Sequence, residues 1–303
     1  MNLMLALTLL ASLIDPETAV LSNRFGRAEV ALYGGFVTHY VPAGGEEVIA
    51  EPVPFFRQEK GGQLVGGIPL CWPWFVNQGP KGLPPNGLTR YQKWRVKSRA
   101  DGDGRSTLTL EADDTPETRA IWPHRYHAEL DFALDRKLSI AFRVRNTGDA
   151  AYRCTDGFHS YFRVGEAHRC TVRGTDGLRY FNRADAALGY SRTWSGDFAF
   201  GEMDFGYRFR EGPHAYDLVD PVLRRTLRCT YRGNAISCIW NPGTRNPDFR
   251  ASWRSFACVE GANLSEDRYE LAPGATHGLS MSVEVLLPGI ATSGRNVLSD
   301  AGR

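Results

Sequence analysis

From Val20 onward, apolar and polar side chains alternate in short runs broken by glycine, proline, asparagine and aspartate. A period of two is the pattern of strands with one buried face. It predicts strands near Ala28 to Leu32, Phe36 to Tyr40 and Glu47 to Ala50. YQKWRVKSRADGDGRSTLTLEAD, residues 91–113, reads as a hairpin closed by DGDG. HRYHAELDFALDRKLSIAFRVRNTGD, residues 124–149, repeats that grammar around Leu134 to Lys137. Further strand-like runs break at Gly157, Gly165, Gly174 and Gly177. No helical stripe of three or more turns appears in the body, and no alternation of strands with helices, so Rossmann and β/α-barrel architectures are disfavoured. The expectation is an all-β fold, one large antiparallel β-sandwich over residues 20–289, with an apolar arm at 1–19 and a weakly patterned tail at 290–303.

One stretch departs from the alternation. GGQLVGGIPLCWPWFVNQGPKGLPPNGLTR, residues 61–90, combines paired glycines, five prolines and the aromatic run Trp72, Trp74 and Phe75. It is a poor helix and a poor central strand, yet too apolar for a solvent-facing linker. Two readings stand: a rigid aromatic-walled loop beside a pocket, or a buried structural loop whose prolines turn corners.

The chain has 303 residues, enough for a large core. Its 36 basic and 34 acidic side chains nearly balance, and no basic run interleaves with aromatics, which argues against a nucleic-acid partner. The six cysteines are far apart, with no CxxC and no Cys/His set at zinc-ligand spacing, so reduced buried thiols and no metal site are expected, with disulfides an alternative only if the protein is exported. The apolar run Leu3 to Ile14 is too short to span a membrane. It has the length of a signal peptide's hydrophobic part but no preceding basic residue and a poor cleavage site. A cytoplasmic protein is the first expectation and export the alternative.

Four polar residues sit in apolar or turn-bounded surroundings: His159 in DGFHSYF, Asp204 in GEMDFGY, Asn241 in IWNPG and Glu260 in FACVEGAN. Glu260 ends an apolar run, so its carboxylate is either exposed at a mouth or held in a partly desolvated cleft, where it would suit the role of general base. His159 is either a satisfied core histidine or a group able to hand a proton to an oxygen near neutral pH. A base, an acid, short polar groups and aromatic surfaces such as Trp74 would suit the opening and reclosing of a hemiacetal ring, a reaction that needs no cofactor.

These residues carry a resemblance to the hexose-6-phosphate mutarotases, also called glucose-6-phosphate 1-epimerases, of the galactose-mutarotase-like superfamily. The matching pieces are GGIPLCWPWF at 66–75, NGLTR at 86–90, HSYFRVG at 159–165, VRGTDGL at 172–178, the region of Asp204, WNPG at 240–243 and CVEGA at 258–262, in the family's order. The resemblance implies a β-supersandwich with a concave sugar-binding face and a small-molecule sugar or sugar-phosphate partner. It implies Glu260 as general base, His159 as general acid or sugar-binding partner, and Asp204 as a hydroxyl-binding carboxylate. Two positions depart from it. The family usually has a histidine where Asn86 stands, and asparagine cannot carry a proton at neutral pH. The phosphosugar branch commonly has an arginine where Val65 precedes Gly66 and Gly67, and valine offers no grip on phosphate. Arg90 persists, and Arg57 or Lys60 could replace part of the charge. The function implied is anomer exchange on an aldohexose 6-phosphate or related aldohexose. The alternative is a carbohydrate-binding homologue with weak or lost catalysis.

Overall fold

The computed structural model describes residues 17–51, 53–54, 64–83, 85–201, 206–212, 214–244, 246, 249 and 252–286. Arg57, Lys60, Asp204 and the apolar run near the N-terminus lie outside them.

Both sequence-predicted hairpins are present. Arg95–Ala100 pairs antiparallel with Ser106–Asp113 across the DGDG turn, and Tyr126–Leu134 pairs with Leu138–Asn146. Burial alternates strictly along Tyr126–Leu134, as a strand between a core and a solvent-facing side requires. The four strands lie at one end of a nine-stranded antiparallel sheet. A second sheet of eight strands packs on it and contains Tyr207–Arg210, Ile236–Trp240 and Phe256–Asn263 as successive neighbours. A three-stranded sheet, Thr18–Asn23, Gly26–Ala31 and Phe36–Pro42, flanks the sandwich. Among the described residues the one α-helix is Pro116–Ile121, capped by Thr115, whose hydroxyl oxygen accepts the Thr118 N–H.

The two large sheets meet closely at Gly261. A Cβ there would lie 2.5 Å from the Tyr231 ring, so glycine lets that ring lie flat against the backbone. The Tyr231 hydroxyl then donates to the Val259 carbonyl at 2.5 Å. Ala257, Val259, Ile239 and Phe209 face this interlayer core. Their strand neighbours face the other way and are covered by loops, so Phe256–Asn263 is buried on both sides along its whole length.

The expected strand at Glu47 to Ala50 does not form; only Ile49 makes an isolated bridge, to Phe162. The Glu47 carboxylate accepts the N–H groups of Tyr40 and Ile49, both at 2.9 Å, while Val48 donates to the Tyr40 carbonyl and Ala50 to the Tyr161 carbonyl, so the segment's donors divide among three partners and no regular ladder forms. All six cysteines are buried and reduced. No helix of the described residues is long and apolar enough to cross a membrane.

Candidate active site

The outer face of the eight-stranded sheet carries two apolar clusters. One gathers Tyr161, Phe249, Trp253, Phe256 and Cys258; the other gathers Cys71, Phe75, Ile236, Cys238, Ala262 and Leu264. Glu260 belongs to neither and stands between them, because residues 256, 258, 260 and 262 of one strand share a face. Its residue is 3% exposed.

His159 reaches Glu260 from the turn between Asp156–Phe158 and Tyr161–Arg163. The His159 N–H donates to the Pro69 carbonyl at 3.0 Å, which ties the turn to the aromatic stretch. Gly157 makes room for Phe75: a Cβ there would meet that ring at 2.5 Å. Phe75 presents its edge to the imidazole, with centroids 5.7 Å apart. Trp240 closes the other side at 5.6 Å and 86°.

Nδ1 of His159 lies 2.8 Å from Oε1 of Glu260. The approach is off the line of an aligned hydrogen bond, and both atoms are buried without an aligned partner. Buried polar atoms in native proteins are nearly always satisfied, and here the two atoms face each other as a close ion pair. The second ring nitrogen, Nε2, is 3.2 Å from the Tyr161 hydroxyl. Burial pushes the Tyr161 phenol well above its ordinary range, so it stays protonated. Nδ1 is the ring nitrogen that faces Glu260.

Sulfur of Cys258 completes a set with His159 and Glu260 whose ligand atoms all lie within 4.8 Å of one another. Imidazole, thiolate and carboxylate suit a zinc-like ion. A metal held there would occupy an oxygen of Glu260 and a ring nitrogen of His159.

The other sequence candidates divide. Asn86 has φ of +67°, and its Oδ1 accepts the Val76 N–H at 2.8 Å while its own N–H donates to the Val76 carbonyl at 3.1 Å. It clips the loop 76–86 shut. Arg90 is buried on the Tyr161 side, close enough to lower the pKa of Tyr161 and of Cys71; burial still dominates and carries Cys71 up to about 12. Asn241 donates to the carbonyls of Trp253 at 2.8 Å and Phe256 at 2.7 Å and accepts from the Gly243 N–H, so the backbone takes up its amide. It shapes the rim instead of offering hydrogen bonds to a sugar. Trp74 is 3% exposed and covered by Gly79, whose Cβ would sit 2.5 Å from the ring. The expected stacking surface is therefore closed, and half-buried Trp240 is the indole beside the pair. Tyr161 and Trp240 were not singled out from sequence. The signal for Tyr161 was present in His159-Ser160-Tyr161, where a period of two puts histidine and tyrosine on one side.

The fold is thus an antiparallel sandwich that holds a buried carboxylate–imidazole pair on the outer face of one sheet. The model of the aldose 1-epimerase family matches residues 17–284, and the chain belongs to that family. It is 30% identical over 270 residues to a protein of Escherichia coli named "Putative glucose-6-phosphate 1-epimerase", covering 86% of this chain and 87% of that protein. A Salmonella typhimurium protein of the same name is 29% identical over 259 residues, covering 81% and 83%. Among crystal structures, a "putative mutarotase" from Salmonella typhimurium superimposes with a TM-score of 0.78 at 24% identity, over 90% of this chain and 92% of that one. A galactose mutarotase-like protein from Lactobacillus casei gives 0.71 at 16% identity, over 89% and 100%.

Proposed function

We propose that the protein interconverts the α and β anomers of an aldohexose 6-phosphate or a related aldohexose, with Glu260 as base and His159 as acid. The observation that carries this reading is the buried pair itself, Nδ1 and Oε1 at 2.8 Å with neither atom otherwise bonded. O1 and O5 of a pyranose are both attached to C1, so an acid and a base acting on them must stand close together.

The competent pair is imidazolium and carboxylate. Glu260 takes the proton of the O1 hydroxyl, the C1–O1 bond becomes a carbonyl, and the C1–O5 bond breaks. O5 takes the Nδ1 proton of His159. The ring is left neutral, with its remaining hydrogen on Nε2. Rotation about C1–C2 presents the other aldehyde face, and reversal of both transfers closes the opposite anomer. Each positioned proton transfer contributes on the order of 10² to 10⁴ in rate. Phe75, Trp240 and the loop held by Asn86 wall the site.

A second reading, a carbohydrate-binding homologue without turnover, is favoured by Asn86, whose side chain serves the loop backbone and cannot move a proton. Exchange spectroscopy on glucose and glucose 6-phosphate separates the two. Catalysed anomer exchange above the spontaneous rate supports the epimerase, whereas binding without exchange supports the module.

A further inference from the structure

The strand Tyr207–Arg210 carries an arginine that the chemistry above does not use. Arg208 opposes Cys238 on the next strand, and Cys238 opposes Glu260 on the strand after that. Directly opposed residues of an antiparallel sheet share a face. Arg208, Cys238 and Glu260 therefore form one row across the outer face, while Phe209 points into the interlayer core. Two strand spacings separate the backbones of Arg208 and Glu260, roughly 10 Å, and an arginine side chain can span much of that distance.

The charge of Arg208 is felt along this row. Burial holds the Cys238 thiol well above its ordinary range, Glu260 pushes it further up, and Arg208 opposes both. On its other side the guanidinium lies over the ring of Phe181, 5.1 Å from the centroid, and Phe181 is the next residue in the row. Its Nη1 reaches the Ser265 hydroxyl at 3.5 Å, the long limit of a hydrogen bond.

Neighbouring arginines have carboxylate partners: Arg179 has Glu211 and Arg210 has Asp267. Half-buried Arg208 forms no ion pair among the described residues. A partly desolvated guanidinium on an aromatic face, beside a site that takes a small molecule, is matched to an anion carried by that molecule. We infer that Arg208 receives the phosphate of an aldose phosphate whose anomeric centre sits at Glu260 and His159. This rests on the proposed sugar site. It assigns the phosphate to the Cys238 flank and replaces the missing arginine at Val65 with one from a different strand.

The test measures binding separately from turnover. 1,5-Anhydroglucitol 6-phosphate has no anomeric hydroxyl, so its affinity does not depend on catalysis. Calorimetry with the full chain compares it with 1,5-anhydroglucitol in the native protein, Arg208→Gln, Arg208→Lys and Arg90→Gln. The expected result is tighter binding of the phosphosugar by the native protein and a loss of at least about tenfold in Arg208→Gln, or about 1.4 kcal/mol. Arg208→Lys should fall between them, keeping charge but not the two-pronged grip. An unchanged phosphosugar affinity in folded Arg208→Gln overturns the assignment, as does a loss confined to Arg90→Gln. If Arg208→Gln does not fold, native-like preference for the phosphosugar in Arg208→Lys overturns it. Failure of anomer exchange with phosphosugar binding intact overturns the epimerase reading and leaves the role of Arg208 standing.

Discussion

The imidazole of His159 lies flat on the phenol ring of Tyr161, with centroids 4.3 Å apart and planes within 2° of parallel. The stack and the 3.2 Å contact between Nε2 and the hydroxyl fix the ring's orientation and leave Nδ1 facing Glu260. Tyr161→Phe keeps the stack and removes the oxygen. Its kcat for anomer exchange should fall by about tenfold, the worth of one hydrogen bond near 1.4 kcal/mol, with KM nearly constant. A rise in KM at constant kcat would make Tyr161 a binding group instead.

The close set of His159, Cys258 and Glu260 predicts inhibition by zinc. Micromolar Zn²⁺ should slow exchange in competition with sugar, and a chelator should restore the rate. Cys258→Ala should weaken the inhibition while leaving Glu260 and His159 in place. Stimulation of exchange by Zn²⁺ would contradict a purely acid–base site.

On the solvent side of the nine-stranded sheet, Glu129 accepts hydrogen bonds from Lys97, Arg143 and His127. Lys97 first and Arg143 second hold its carboxyl down from 4.5 to about 2. A folded-state value below the unfolded one contributes stability that is present above pH 4.5 and lost as pH falls through about 2. Unfolding by denaturant should show native stability declining over that window, and Glu129→Gln should flatten the decline. Parallel slopes for the two proteins would show that Glu129 is not linked to folding.

The fold was legible where one face of a strand is wet. Ser106–Asp113 and Tyr126–Leu134 announce themselves by alternation because charged pairs cover one side and the core the other. Glu47 to Ala50 has the same apolar–polar rhythm, but its backbone donors divide between the Glu47 carboxylate, Tyr40 and Tyr161, a division that periodicity does not encode. At the site, Glu260 stood out as a carboxylate in an apolar run, and that run is buried on both faces. The aromatic stretch misled in one respect: Trp72 and Trp74 fill the main core, and only Phe75 of the three lies edge-on to His159. Arg208 was not readable, because its importance comes from a register across three strands and not from its neighbours in sequence.

In the proposed reaction Glu260 accepts the anomeric proton. Glu260→Gln preserves size and much of the hydrogen bonding but cannot take that proton at neutral pH. Exchange spectroscopy on the purified native and variant proteins, corrected for spontaneous mutarotation, measures the step directly. The predicted result is catalysed exchange in the native protein, reduced by roughly 10²-fold or more in a variant with unchanged thermal unfolding. Exchange at the native rate in folded Glu260→Gln would contradict the assignment of Glu260 as the base.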